Sequence, residues 1–310
     1  FNSIRLFNSN QATYKERIEL LESLKGINQE LQPVLDMVVD AFRKDWLERN
    51  HQVAELLIEL LEEGLTYSNS AAIKIGADEE ALKQKLRRKY EQFLRGLETR
   101  CQKRMRALYR HNIFNIELPS QSILKEDLFS EKTWEFLGLN SSQLIMAGAL
   151  SGAAVGAGVD VAAAGLSFGI FSTIGGLVGA AGTALKGRSL LSETRLLGMR
   201  LDAQQIQLGP VKNIQLLFVL LDRQFLFYRH IINWSHGRRD YGSQTSVQDS
   251  SPAKIGYTSN WSRQDRAICE GFFQSIQTSE QSAAPQDFRA ELADLLKKTL
   301  QEISLEITET

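Results

Sequence analysis

Cysteine is nearly absent from this chain: 310 residues hold two, Cys101 and Cys269, far apart and outside any paired motif. That excludes a disulfide framework and a thiolate zinc site, and it suits a reducing compartment. Histidine is scarce too. Of the four, only His230 and His236 lie close together, and a spacing of six residues puts them on different sides of a helix, which disfavours a histidine metal centre. The chain also lacks an excess of either charge. With a net charge of −1 and 24% charged residues, attraction to nucleic acid or anionic lipid has to come from a local patch. It opens on Phe-Asn-Ser with neither Met nor a charged-then-apolar leader, which reads as a piece of a longer protein without a secretory signal.

Signatures of chemistry are missing as well. The stretch Gly182-Thr-Ala-Leu-Lys-Gly-Arg-Ser189 contains the residue types of a phosphate-binding loop in the wrong order, at the end of an apolar segment instead of after a strand. No Ser or Cys nucleophile has a base at readable spacing. No catalytic, cofactor-binding or metal-ligating residue is therefore expected, and catalysis by this chain alone is disfavoured.

What is present is helical periodicity in a composition 43% hydrophobic, enough for a sizeable core. Residues 11–26 suit a short polar helix. A longer one follows after Pro33, a residue at home in a first helical turn because it has no N–H to leave unpaired. Leu35, Val39, Phe42, Trp46, Val53, Leu57 and Leu61 recur at three, four or seven and form one apolar face ending near Gly64. After a break at 66–77, Asp78 opens a second helix with the apolar line Leu82, Leu86, Tyr90, Phe93, Leu97, Cys101, Met105 and Leu108. The two predict a long antiparallel helical hairpin.

Ser130 can cap a short helix through Trp134. Uneven alternation from Leu196 to Leu208 leaves room for one small β-hairpin near 195–208, turning at Asp202-Ala203. Helix returns from Val211 to Arg238 with an intensely apolar start. Residues 242–260, poor in apolar anchors, are expected to form a mobile loop, and helices follow near 262–277 and 286–307. The expected fold is mainly α, with long antiparallel helices around a Gly/Ala-rich helical hairpin. The regions are a helical one at 1–140, the apolar hairpin at 141–187 and a second helical one at 188–310.

The apolar segment is the most unusual part. Between Leu144 and Leu185 lie 42 residues with one ionisable side chain, Asp160. Gly148, Gly152 and Gly156 make two small-xxx-small steps, Gly165 with Gly169 a third and Gly175 with Gly179 a fourth, a spacing that lets helix backbones approach closely. One helix of this length would run about 63 Å, twice a bilayer core, whereas two legs of about 20 residues would each reach about 30 Å. A turn near Asp160 to Gly165 fits best. Glycine costs a helix up to about 1 kcal/mol relative to alanine, so ten of them need close packing in return. Stable spanning is opposed by the thin share of Leu, Ile, Val, Met and Phe and by Asp160. Conditional membrane contact and a purely soluble core hairpin both remain.

Charge asymmetry is confined to residues 76–110, where 11 Lys or Arg stand against 5 Asp or Glu. Arg87, Arg88, Lys89, Lys103, Arg104 and Arg106 are either a solvated face balanced by Glu59, Glu62 and Glu63, or a surface for anionic lipid headgroups or a partner. Nucleic acid is not expected, because no recognised motif accompanies the charge. A polar-aromatic cluster gathers His230, Trp234, His236, Arg238, Arg239 and Asp240, mostly explained as basic residues at a helix C-terminus.

Arg49 with Glu55 to Leu65, the Tyr90 to Tyr109 helix, Asp127 to Trp134 with Gly138-Leu139, Gly152 to Gly176 containing Asp160, and Leu221-Asp222-Arg223 through His236-Gly-Arg-Arg-Asp240 together resemble an uncharacterised bacterial domain found C-terminal to Era-like small GTPase domains. The likeness runs from about residue 30 to 275. It implies an upstream partner domain that binds GTP and Mg, joined through the 1–140 region, with this chain as its effector or membrane-facing part. It also draws Asp222, Arg223, His236, Arg238, Arg239 and Asp240 into one polar cluster. No P-loop, Asp-x-x-Gly switch or Asn-Lys-x-Asp motif occurs here, so GTP hydrolysis would belong to the upstream domain. The leading expectation is a non-catalytic effector at the cytoplasmic face of the inner membrane, peripheral or integral, with an oligomer allowed. The rivals are a soluble protein-interaction scaffold and, third, a pore-forming or toxin-like helical protein.

Overall fold

A computed structural model describes residues 14–26, 29–72, 78–109, 124, 171–174, 205–232, 256–277 and 287–305. Six α-helices dominate them: α1 (Tyr14–Lys25), α2 (Gln32–Thr66), α3 (Glu79–Leu108), α4 (Gln215–Ile232), α5 (Arg263–Gln277) and α6 (Phe288–Leu305). Three strands, β1 (Asn69–Ala72), β2 (Phe171–Ile174) and β3 (Gln205–Leu208), form one small antiparallel sheet in the order β1-β3-β2. The fold is mainly α, as the periodicity predicts.

Local chemistry starts each helix. Asp78 Oδ1 accepts the N–H groups of Glu80 at 3.0 Å and Ala81 at 3.1 Å at the head of α3. Ahead of α5, Ser262 and Asp265 form a reciprocal capping box: Ser262 N–H donates to Asp265 Oδ2 at 2.9 Å and Asp265 N–H to Ser262 Oγ at 3.2 Å. Asp287 Oδ1 takes the Ala290 N–H at 3.1 Å to open α6. Pro33 sits in the first turn of α2, whose 35 residues run about 52 Å. The helix continues past Gly64 to Thr66, slightly beyond its expected end.

The described residues fall into two compact units, one within Phe1–Glu62, Glu98–Gly138 and Phe218–Thr310, the other within Glu63–Leu97 and Leu139–Leu217. In the first, Val53, Ala54, Leu57, Ile58 and Leu61 of α2, Cys101 and Met105 of α3, and Leu220, Phe225, Tyr228 and Ile231 of α4 are buried with Leu292, Leu296 and Leu300 of α6. The ring of Phe288 occupies the space a side chain at Gly271 would need, so α5 carries glycine there.

In the second unit Leu65, Leu86, Tyr90, Leu94, Ile206, Leu208, Val211 and Leu216 are buried. Tyr67 stacks on Phe93 with ring centroids 3.8 Å apart, and Tyr90 Oη donates to Gly64 O at 3.3 Å. Strand β3 pairs Leu208 with both Asn69 and Phe171, and Gln205 with both Ala72 and Ile174. Gly209 follows with φ +82°, and a Cβ there would collide with the Tyr67 carbonyl oxygen.

Three expectations meet the structure unevenly. The β element near 195–208 is present as β3, the centre of a sheet whose other strands are distant in sequence, while the turn at Asp202-Ala203 lies outside the described residues. Within the glycine-rich segment only residues 171–174 are described, and they are strand β2 instead of helix, paired residue for residue with Gln205–Leu208. The loop expected at 242–260 is corrected at its end: Tyr257–Asn260 is a 3₁₀ turn with a buried anchor, Thr258.

Candidate functional site

The intensely apolar helix α4 carries three consecutive polar residues, Asp222, Arg223 and Gln224, each at most 4% exposed. A polar group taken out of water there needs hydrogen-bond partners, and each of the three has at least one. Arg223 donates from Nε to Glu98 Oε1 at 2.7 Å and from Nη2 to Glu98 Oε2 at 3.2 Å, a bidentate pair between α4 and the first unit's part of α3. Gln224 Nε2 donates to the same Glu98 Oε1 at 3.1 Å.

Asp222 faces another way and accepts from Thr258 twice, N–H to Oδ1 at 2.8 Å and Oγ1–H to Oδ2 at 2.7 Å. That double bond ties the 3₁₀ turn to α4. Burial without a cation pushes the Asp222 carboxyl up to about 7, the Thr258 hydrogen bonds opposing the rise.

A second buried cluster centres on Asn50 of α2, whose Oδ1 accepts Tyr109 Oη–H at 2.9 Å and Tyr228 Oη–H at 2.7 Å. Burial raises both phenols above their ordinary range. The cysteines are equally quiet. Burial pushes Cys101 and Cys269 up to about 12, keeping them as thiols. His230 is pushed down to about 4 by burial and stays neutral. Every carboxylate oxygen of Glu98 and Asp222 meets a donor. Among the described residues no group of His, Cys, Asp and Glu is arranged to hold a metal ion.

Of the sequence-predicted polar cluster, Asp222 and Arg223 are adjacent but engage different partners, while His236, Arg238, Arg239 and Asp240 lie outside the described residues. Gly148, Gly152, Gly156, Asp160, Gly165, Gly169, Gly175 and Gly179 lie outside them also. The basic positions of α3 are divided between the units. Arg87 pairs with Glu91 at 3.0 Å beside exposed Arg88 and Lys89 in one, and Lys103, Arg104 and Arg106 belong to the other, where Arg104 pairs with Glu59. Glu62 balances α6 instead, joining Glu55 around Arg289 at 3.1 and 2.8 Å. No helix among the described residues is long and apolar enough to cross a membrane.

Sequence reasoning missed Glu98, Asn50 and Thr258, the partners of the buried groups. The signal was available in part: three adjacent polar residues flanked by Leu216 to Leu221 and Phe225 to Phe227 require buried partners. It missed a surface as well. Leu31, the residue before α2, and Val34, Met37 and Val38 in its first turns are 51%, 56%, 73% and 44% exposed, whereas the next residue, Val39, is buried. Spaced at three and four, they line one side of the helix with apolar groups in contact with water.

The whole of this geometry lies in a stretch with a family assignment. Residues 1–302 match the family described as Domain of unknown function (DUF3482), and the chain belongs to it. No curated protein and no solved structure matches the chain.

Proposed function

With that family as the premise, we propose that the chain is a non-catalytic helical effector module that works through protein contact with an Era-like GTPase domain. The observation that carries the contact is the exposed apolar row Leu31, Val34, Met37 and Val38. Contiguous apolar surface of this kind marks interaction sites. Its surroundings are charged: Asp36 pairs with Lys25 at 2.6 Å, Asp40 lies 3.9 Å from Arg43 and Glu30 is exposed as well, so the row is edged with charges of both signs. An apolar row with a rim of mixed charge suits a protein partner whose own charges complement it. The GTPase as occupant rests on the resemblance of Glu55 to Leu65, Tyr90 to Tyr109 and Leu221 to Asp240 to domains that follow such GTPases.

The test is calorimetric titration of the 310-residue chain with an Era-like GTPase domain encoded with it, loaded with GDP or a non-hydrolysable GTP analogue. Binding that differs between the nucleotides and weakens at least tenfold in V34D/M37D, with unchanged melting temperature, is the expected result. Equal binding in both states, or none, overturns the reading.

A second reading is favoured by one observation, the 42 residues from Leu144 to Leu185 with Asp160 as their single ionisable side chain. Here the glycine-rich segment meets the inner membrane, and the nucleotide state of the partner biases its exposure. Flotation with anionic liposomes that persists in high salt and is lost in G152L/G156L supports it. If those substitutions destroy folding and the parent never floats, the segment is core and the chain a soluble scaffold.

A further inference from the structure

In the first unit, helices α1, α2 and α6 leave between them a cavity of about 320 Å³ that no expectation from the sequence covers. Its apolar lining comes from Ile18, Trp46, Leu47 and Leu305. Two of these, Leu47 and Leu305, are 49% and 44% exposed, although their helices bury most other large apolar side chains. Tyr14 and Trp46 also line it and stack on each other, with ring centroids 4.3 Å apart and planes at 19°. Trp46 is 7% exposed and its indole N–H is buried without an acceptor, so this wall contains a donor that the protein does not use.

Charge among the residues that line the cavity is mixed. Lys15 and Arg43 line it against a single carboxylate, Glu19. Arg43 uses Nη2 on Glu22 at 3.1 Å and lies 3.9 Å from Asp40, which engages only part of a guanidinium with five donors. These are surface pairs, half-exposed and weak, that a better anion can displace.

We propose that this cavity binds a small amphiphilic monoanion, a medium-chain carboxylate whose alkyl body lies on Trp46 and Leu47 and whose head meets Arg43 and Lys15. The volume lies at the lower end of ligand pockets, large enough for an alkyl chain of about ten carbons and too small for a two-chain lipid. Burial of the body covers the exposed faces of Leu47 and Leu305, and the cations select the head. Nothing in this site depends on the exposed row at the start of α2 or on a GTPase.

The experiment uses the full chain and sodium decanoate below its micelle concentration, followed by tryptophan fluorescence and calorimetry. One saturable site is expected, with decanol and decyltrimethylammonium at least about tenfold weaker, the worth of a charge-assisted hydrogen bond. R43Q weakens decanoate about tenfold and leaves decanol unchanged, while W46F abolishes the fluorescence response. Because Trp46 is buried, I18W serves as the filled-cavity variant at a half-exposed position: its helical circular dichroism is unchanged and its decanoate binding is lost. Non-saturable uptake, equal affinity for decanoate and decanol, or full binding by I18W overturns the site.

Discussion

Asp222 shows how much one side chain's surroundings decide. An aspartate in an unfolded chain titrates near 4, whereas this one, without a cation and beside Thr258, titrates near 7. Between those values the folded protein holds a proton that the unfolded chain has lost. Stability from this group is therefore greatest below about pH 4 and falls as pH rises to about 7, opposite in sign to the usual surface carboxylate. The drop amounts to about 4 kcal/mol at most, from three units at about 1.4 kcal/mol each. D222N removes the titration while keeping an acceptor for the Thr258 N–H. Urea melts of both proteins at pH 5 and pH 8 should show the variant gaining by a few kcal/mol relative to the parent at the higher pH. A difference independent of pH would mean that Asp222 is ionised throughout.

At the scale of elements, the buried bond between α3 and α4 is the instructive one. Glu98 and Arg223 are separated by 125 positions and are each 4% exposed. Removing one partner strands the other charge out of water. E98L and R223M are each expected to cost about 3–5 kcal/mol by chemical denaturation, whereas E98L/R223M should lose clearly less than their sum, because no lone charge is left buried and only the Gln224 amide loses its acceptor. Additive losses in the double variant would show that packing, not charge, holds this contact.

The same elements show what a sequence can disclose. The apolar lines Leu82 to Leu108 and Val53 to Leu61 place α2 and α3 to within a few residues, because an amphipathic helix repeats its signal every turn. Strands β1 and β2 give no such signal. Asn-Ser-Ala-Ala is an unremarkable tetrapeptide, and it is a strand because Gln205–Leu208 lies beside it. The polar partners of α4 were hidden for the same reason: that Asp222 needs one is local information, but that Thr258 supplies it is not. The row Leu31 to Val38 escaped notice since periodicity identifies apolar residues and cannot tell which face of a half-covered helix has a neighbour.

For the whole molecule, the two thiols report on cooperativity. Cys101 and Cys269 are both buried, and burial keeps both protonated. A thiol reagent should leave both unmodified in the native protein and react with both at one rate that follows global unfolding through a denaturant series. Separate rates would reveal α5 opening on its own. Both cysteines belong to the first unit, so the second is followed through Tyr67 or Tyr90.

Strand β1 ends at Ala72 and its partner β3 begins at Gln205. A ribosome adding about 5–20 residues per second takes on the order of ten seconds to cover that interval. Leu65 has been made when it begins and Leu86 soon after, while Ile206 and Leu216, buried in the same unit, have not. Synthesis therefore passes through a long stage in which apolar helix faces are finished but uncovered, a natural substrate for a holding chaperone. Slowing translation between those positions is expected to lower the soluble yield of this protein, whereas the same pause after Leu305 should leave it unchanged.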